Sequence, residues 1–300
     1  MASFAAPLVG PGLVVDVARA IDLSRRVRFD AATDARAFGL PAAHTAPVHV
    51  GSFVGDVRQG GSCNCETHSL TPHGDGTHTE CVGHLLSERV AVIDVLAARD
   101  LGLMEALVVT CAPVRLDSVS DDVAGNHAPD DLVVDELSLT EALARVAASA
   151  PSLTPRALVV RTGHSQDTSN PPYLTADAAL FLRERGFAHV LVDLPSLDRA
   201  DDGGLLGAHR AFFDLAPQQR TLHGQAPTSR TVTELIRVPA DVVDGAYALS
   251  LQLAPLVADA VPSRPLLFPL VAAAPSWLSS RLSSRLSSRL SSAGAHKELA

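Results

Sequence analysis

The sequence predicts an α/β domain, and three observations carry that prediction. β-Branched runs of strand length recur along the chain, helical patterns lie between them, and the composition is apolar enough to fill a core. "ALVVTCAPVRL" (106–116), "ALVVRT" (157–162) and "HVLVDL" (189–194) have the length and residue types of strands. "SLTEALARVAAS" opens on Ser138 with Glu141 three residues later, a capping-box pattern. "TADAALFLRERG" opens at Thr175, carries Asp177 in its first turn and ends at Gly186, which suits the position just past a helix. Strands alternating with helices are the pattern of an α/β sheet. "GAYALSLQLAPL" (245–256) reads as a late strand, and the Pro- and Gly-rich N-terminal part as strands and loops.

Apolar residues make up 47% of the 300, and charged residues 19%, below the ~25% of an average soluble protein. A packed structure is therefore expected rather than disorder. We read residues 1–276 as one domain and 277–300 as a low-complexity tail. There "LSSRLSSRLSSRLSS" repeats every four residues from Leu278. A helix would line up Leu278, Leu282, Leu286 and Leu290 in one narrow stripe, and serine is a poor helix former, so disorder is the expectation. A weak membrane-surface helix is the alternative.

The net charge of −9 and the 4% aromatic content argue against a nucleic-acid partner, because backbone binding needs Lys and Arg. Four cysteines are too few for a disulfide scaffold at this length. No secretory leader pattern is seen, and no apolar run reaches ~20 residues. A cytoplasmic protein with no membrane partner is expected.

The chemistry concentrates in "TPHGDGTHTECVGHLL" (71–86), which holds His73, His78 and His84 with Glu80 between the last two. Imidazole nitrogen and carboxylate oxygen are preferred ligands of Zn²⁺ and Mn²⁺. His78 and Glu80 are two apart, so on a strand both face one ion. The helical HExxH motif is absent, and the only close cysteine pair is "CNC" at 63–65. Cys81 is either a soft fourth ligand or a small buried neighbour, the second being the usual case. His44, His49, His68, His127, His164, His189, His223 and His296 are read as surface or satisfied core residues.

"HGDGTHTECVGH" resembles the signature of the cyclase family of metal-dependent hydrolases, which includes bacterial kynurenine formamidase and isatin hydrolase. The family pattern sets Thr-His, one residue, Asp, three residues and His. Thr77, His78 and His84 match it, with Glu80 for the Asp. The resemblance continues in "IDLS" (21–24), "LVVRTG" (158–163), "PYLTADAALFLRERGFAHVLVDLPSLD" (172–198), "GAHRAFF" (207–213) and "VTELIRVP" (232–239). It implies a swivelling β/β/α fold, a mixed sheet or barrel-like core flanked by helices, and a homodimer. It implies one or two Zn or Mn ions, the first on His73, His78 and Glu80 and the second on Glu80, His209 and Glu234. His84 would be the general acid/base. Two departures stand out. His73 lies five before His78, where the family's first ligand lies four before, at Gly74 here, and Glu80 is one methylene longer than Asp. "APQQRTLHGQAPTSR" (216–230) reads as an inserted loop ahead of Glu234.

The implied activity is hydrolysis of a small amide or lactam. A divalent ion lowers the pKa of water from 15.7 toward ~7 and polarises a carbonyl. Histidine ordinarily titrates near neutrality, so His84 is suited to protonate the leaving nitrogen. Phe53, Tyr173, Phe212 and Phe213 are candidates for a pocket wall, with buried core as the commoner role. Two other classes compete. One is a metal-binding protein without turnover, although a His/Glu-rich set favours an open site over a closed structural one. The other is a serine hydrolase using Ser165 in "GHSQD", although Asn170-Pro171-Pro172 leaves no room for the helix a nucleophile elbow needs.

Overall fold

The β-branched runs form the centre of the molecule, in a computed structural model that describes residues 12–29, 37–147, 153–164 and 170–272. Nine strands make the main sheet: β1 Leu13–Val15, β2 Ile21–Asp22, β3 His78–Cys81, β4 Leu103–Thr110, β5 Ala157–Arg161, β6 His189–Val192, β7 Thr231–Glu234, β8 Gly245–Leu253 and β9 Ala260–Ala272. From β9 the order runs β8, β4, β5, β6, β7, β3 and back to β9, which closes a seven-stranded barrel. β1 and β2 pair with β9 outside this ring. β4 to β7 run parallel, whereas β3, β8 and β9 are antiparallel to their neighbours. The expected α/β class and barrel-like mixed core are what the chain forms.

A short helix, α1 (Pro72–Asp75), precedes β3. Parallel neighbours need crossovers, and α2 (Glu136–Ala147), α3 (Ala176–Glu184) and α4 (Gly207–Phe213) lie in the three of them. The core has two layers. Met104, Ala106, Val108, Ala157, Val159 and Leu191 belong to one, with Leu249 and Leu267. Leu107, Val109, Leu158, Val160, Val190 and Val192 belong to the other, with the helix residues Leu139, Ala142, Ala178, Leu182 and Phe212. Successive residues of β4 and β5 thus enter opposite layers, and both faces are buried. That is why these strands read as continuous apolar runs instead of alternating ones.

Helix α3 starts as the sequence predicts: Thr175 Oγ1 accepts the Ala178 N–H at 3.1 Å, and Gly186 is left-handed at φ 85°. Helix α2 starts earlier than the Ser138 pattern suggests. Asp135 Oδ1 accepts the Ser138 N–H at 3.1 Å, so the aspartate three residues upstream caps it and Ser138 lies inside the first turn. The expected tail (277–300) and Ser165 lie outside the described residues. Among the described residues no helix is long and apolar enough to cross a membrane.

The loop after β6, which carries Asp198 and Asp202, leans on Gly125. Gly125 is left-handed at φ 81°, and a Cβ there would lie 1.9 Å from the Asp202 carbonyl oxygen. Gly125→Ala is expected to cost about 2–5 kcal/mol, the sum of left-handed strain and overpacking. Urea unfolding checks this; an unchanged midpoint would mean that the loop yields at no cost.

Candidate metal centre

His78 and Glu80 stand on one face of β3, as a strand spacing requires, and both are fully buried. β3 is paired on both edges. β7 sets Glu234 opposite His78, and β9 sets Ala260 opposite Glu80. Helix α4 carries His209, and α1 carries His73. Glu80 is the common member. Its Oε1 lies 2.5 Å from His209 Nε2, and its Oε2 lies 3.1 Å from His73 Nδ1 and 3.9 Å from His84 Nδ1. Glu234 reaches His78 Nε2 at 3.2 Å and His209 Nε2 at 3.4 Å. His73, His78 and Glu80 offer ligand atoms that all lie within 4.8 Å of one another, and so do Glu80, His209 and Glu234. All five residues predicted as ligands are therefore brought together.

The donor set fits a divalent cation. His78 Nε2, His209 Nε2 and both Glu80 carboxylate oxygens are buried and lack a hydrogen-bond partner. Each such atom left unpaired costs ~1–3 kcal/mol. The far ring nitrogens explain the orientation. His78 Nδ1 donates to the Gly76 carbonyl at 3.0 Å, and His209 Nδ1 donates to Asp198 Oδ2 at 2.6 Å. Both partners only accept, so in a neutral ring each Nε2 presents a lone pair to a carboxylate. Two acceptors facing at such distances need a positive charge between them, a proton on the ring when no metal is bound or a divalent ion held by imidazole and carboxylate.

The local field favours that charge. Burial opposes a charged His209, yet Glu80, then Asp198 and Glu234, hold its pKa well above the usual value. Burial likewise opposes charge on His73, but Asp259 and Glu80 push it up to about 10. The Glu80 carboxyl stays well below the usual range because His84 and His209 outweigh its burial.

Comparison with known proteins places the chain in a family. The Cyclase family model matches residues 21–199 of the 300. The chain belongs to the Cyclase family. A curated kynurenine formamidase of Bacillus mycoides (strain KBAB4) is 34% identical over 119 residues, 38% of this chain and 50% of that protein. The chain thus spans about half the length of the curated relative it matches. Isatin hydrolase A from Labrenzia aggregata, bound to benzyl benzoate, superposes with a TM-score of 0.53 at 16% identity, covering 85% of this chain and 94% of that one. Isatin hydrolase A from Ralstonia solanacearum gives 0.52 at 15%, covering 84% and 92%. At these identities the structural likeness speaks for the fold.

Both departures from the family pattern are accommodated locally in this chain. His73 lies in α1, where the rise is ~1.5 Å per residue, and from there its Nδ1 reaches Glu80. Gly74, where the family ligand would stand, is buried, and a Cβ there would lie 2.9 Å from Leu40 Cδ1. The longer arm of Glu80 reaches both His73 and His209. The segment read as an inserted loop, 216–230, contains no strand or helix and is pinned by Arg210, which donates to the carbonyls of Ala216 and Gln219. Glu234 keeps its place because its Oε1 accepts the Leu197 N–H at 2.8 Å.

His84 sits in the 3₁₀ turn Val82–Leu85 with its side chain 28% exposed. It lines a cavity of about 440 Å³ together with Phe38, Leu40, Leu206, Arg199 and three of the clustered residues, His73, His209 and Glu234. Tyr173, Phe212 and Phe213 are core residues, and Phe53 is 36% exposed; none of the four lines this cavity. Cys81 is a buried neighbour outside both ligand sets, its thiol pushed up to about 12 by burial. His189 is a buried core residue, with Nδ1 2.8 Å from Thr231 Oγ1 and Nε2 3.3 Å from Asp100.

Three acids went unread in the sequence. Asp198 and Asp259 have no motif spacing to the histidines they meet. Asp131 steadies the cavity rim. It accepts from Arg199 Nε at 2.8 Å, the Tyr173 hydroxyl at 3.0 Å and the Ala128 N–H at 3.0 Å. Burial would raise its pKa, but these donors lower it to about 2. A depressed carboxyl stabilises the fold fully above its unfolded pKa of ~3.9, and that contribution fades as pH falls toward 2. Asp131→Asn is therefore expected to flatten the stability–pH curve across that window. Urea titrations at successive pH values check it; an acid limb as steep as the parent's would rule it out.

Proposed function

We propose that the protein is a metal-dependent hydrolase of a small amide or lactam. The observation that carries the proposal is the convergence of His73, His78, Glu80, His209 and Glu234 with buried, unpaired ligand atoms. One or two Zn or Mn ions would be held, by His73, His78 and Glu80 and by Glu80, His209 and Glu234. A divalent ion there supplies Lewis acidity: it lowers the pKa of water toward ~7 and polarises a carbonyl. The chain's own residues supply the rest. Phe38, Leu40 and Leu206 give the cavity an apolar wall that seats the body of the substrate and excludes water. Its volume suits a one- or two-ring molecule. His84 transfers the proton that the leaving nitrogen requires. Its Nδ1 is turned toward Glu80 and Asp259, which leaves Nε2 as the atom that meets the substrate.

The names of the relatives direct the substrate screen: N-formylkynurenine and isatin first, then simple lactams, imides and lactones. The protein loaded with Zn or Mn is expected to hydrolyse at least one of them. A fully loaded protein inert to all of them would favour the reading of a metal-binding member without turnover. The reading includes a cytoplasmic homodimer, for which light scattering should return twice the 31.3 kDa chain mass.

A further inference from the structure

We propose that Asp259 is a positioning residue of the metal centre, holding the outer nitrogen of His73 so that the inner nitrogen faces Glu80, and steadying His84 beside it. This inference rests on the metal-centre reading above. Two of the three clustered histidine ligands have an evident anchor on the nitrogen away from the cluster: Asp198 for His209 and the Gly76 carbonyl for His78. His73 is strung between two carboxylates instead. Its Nδ1 is 3.1 Å from Glu80 Oε2, and its Nε2 is 3.5 Å from Asp259 Oδ2. A histidine that ligates through one nitrogen commonly gives its other N–H to a carboxylate. Asp259 supplies what the His73 ring would otherwise lack.

The same Asp259 oxygen lies 3.5 Å from His84 Nδ1, and the His73 and His84 ring centroids lie 4.3 Å apart with the planes tilted by 33°. One carboxylate thus faces two neighbouring rings, a ligand and the proposed proton carrier. The backbone fixes its place, because the Asp259 carbonyl accepts the Cys81 N–H at 3.1 Å, on the ligand strand itself. The side chain is 42% exposed, so it fills no core.

The test uses the full chain and Zn²⁺ alone as probe. Affinity is read by competition with a chromophoric chelator, and stoichiometry by elemental analysis. Asp259→Asn is expected to weaken Zn²⁺ binding 10–100-fold. Asp259→Glu should recover most of that loss, and the melting temperature of both metal-stripped variants should match the parent's. Parent-like affinity in Asp259→Asn would overturn the inference while leaving the metal centre intact. A whole equivalent of zinc lost would overturn it too, by making Asp259 a ligand of its own ion with His73 and His84, which lie within mutual reach. A parent chain that binds no Zn²⁺ would overturn both readings.

Discussion

Replacing His78 and Glu80 together with alanine is expected to empty the centre of metal and abolish hydrolysis. Both side chains stand on β3, a strand of the barrel wall. β3 is held by β7 on one side and β9 on the other, so neither side chain can be replaced by a shift of a loop. Glu80 also belongs to both ligand sets, and its loss breaks both. Elemental analysis of the parent should return about one or two equivalents of Zn or Mn, and the variant none. Activity should fall at least ~10³-fold, or about 4 kcal/mol of transition-state stabilisation. Circular dichroism separates this from unfolding, because the barrel's signal should be retained. Retained metal in the variant would defeat the assignment of both residues.

His84→Ala should behave in the opposite way toward the metal. His84 lies outside both sets that contain Glu80, so metal content should stay at the parent level. The rate should fall ~10²–10⁴-fold, the usual contribution of a positioned acid or base, or about 3–5 kcal/mol. An undiminished rate would sink the proton-transfer role, and lost metal would recast His84 as a ligand. The pair of variants therefore separates binding from proton transfer, one defect each.

Much of this was legible in the chain because it was local. The His78/Glu80 spacing encodes a shared strand face, and the β-branched runs of β4, β5 and β6 encode buried strands. Helix α3 announces its own start with Thr175. What stayed hidden depends on tertiary approach. Asp198 meets His209 through a loop between β6 and α4, and Asp259 meets His73 and His84 only once β9 lies against β3. No spacing rule connects such positions. The start of α2 was misplaced for a simpler reason. Asp135 and Ser138 both carry capping side chains, and local pattern alone does not choose between them. The cavity wall was missed because Phe38 and Leu40 sit in an irregular segment whose neighbours are decided by the fold.

The pairing of β3 bears on how the protein is made. Residues 78–81 are made long before both strands that flank them, β7 and β9. While the ribosome is still at work, His78 and Glu80 sit on a strand with no neighbour, and such long-range pairings are slow to form. An ion held as proposed would therefore meet a finished cage rather than a growing chain. Metal choice would then be made by the closed barrel, because the site does not exist before its last strands have paired.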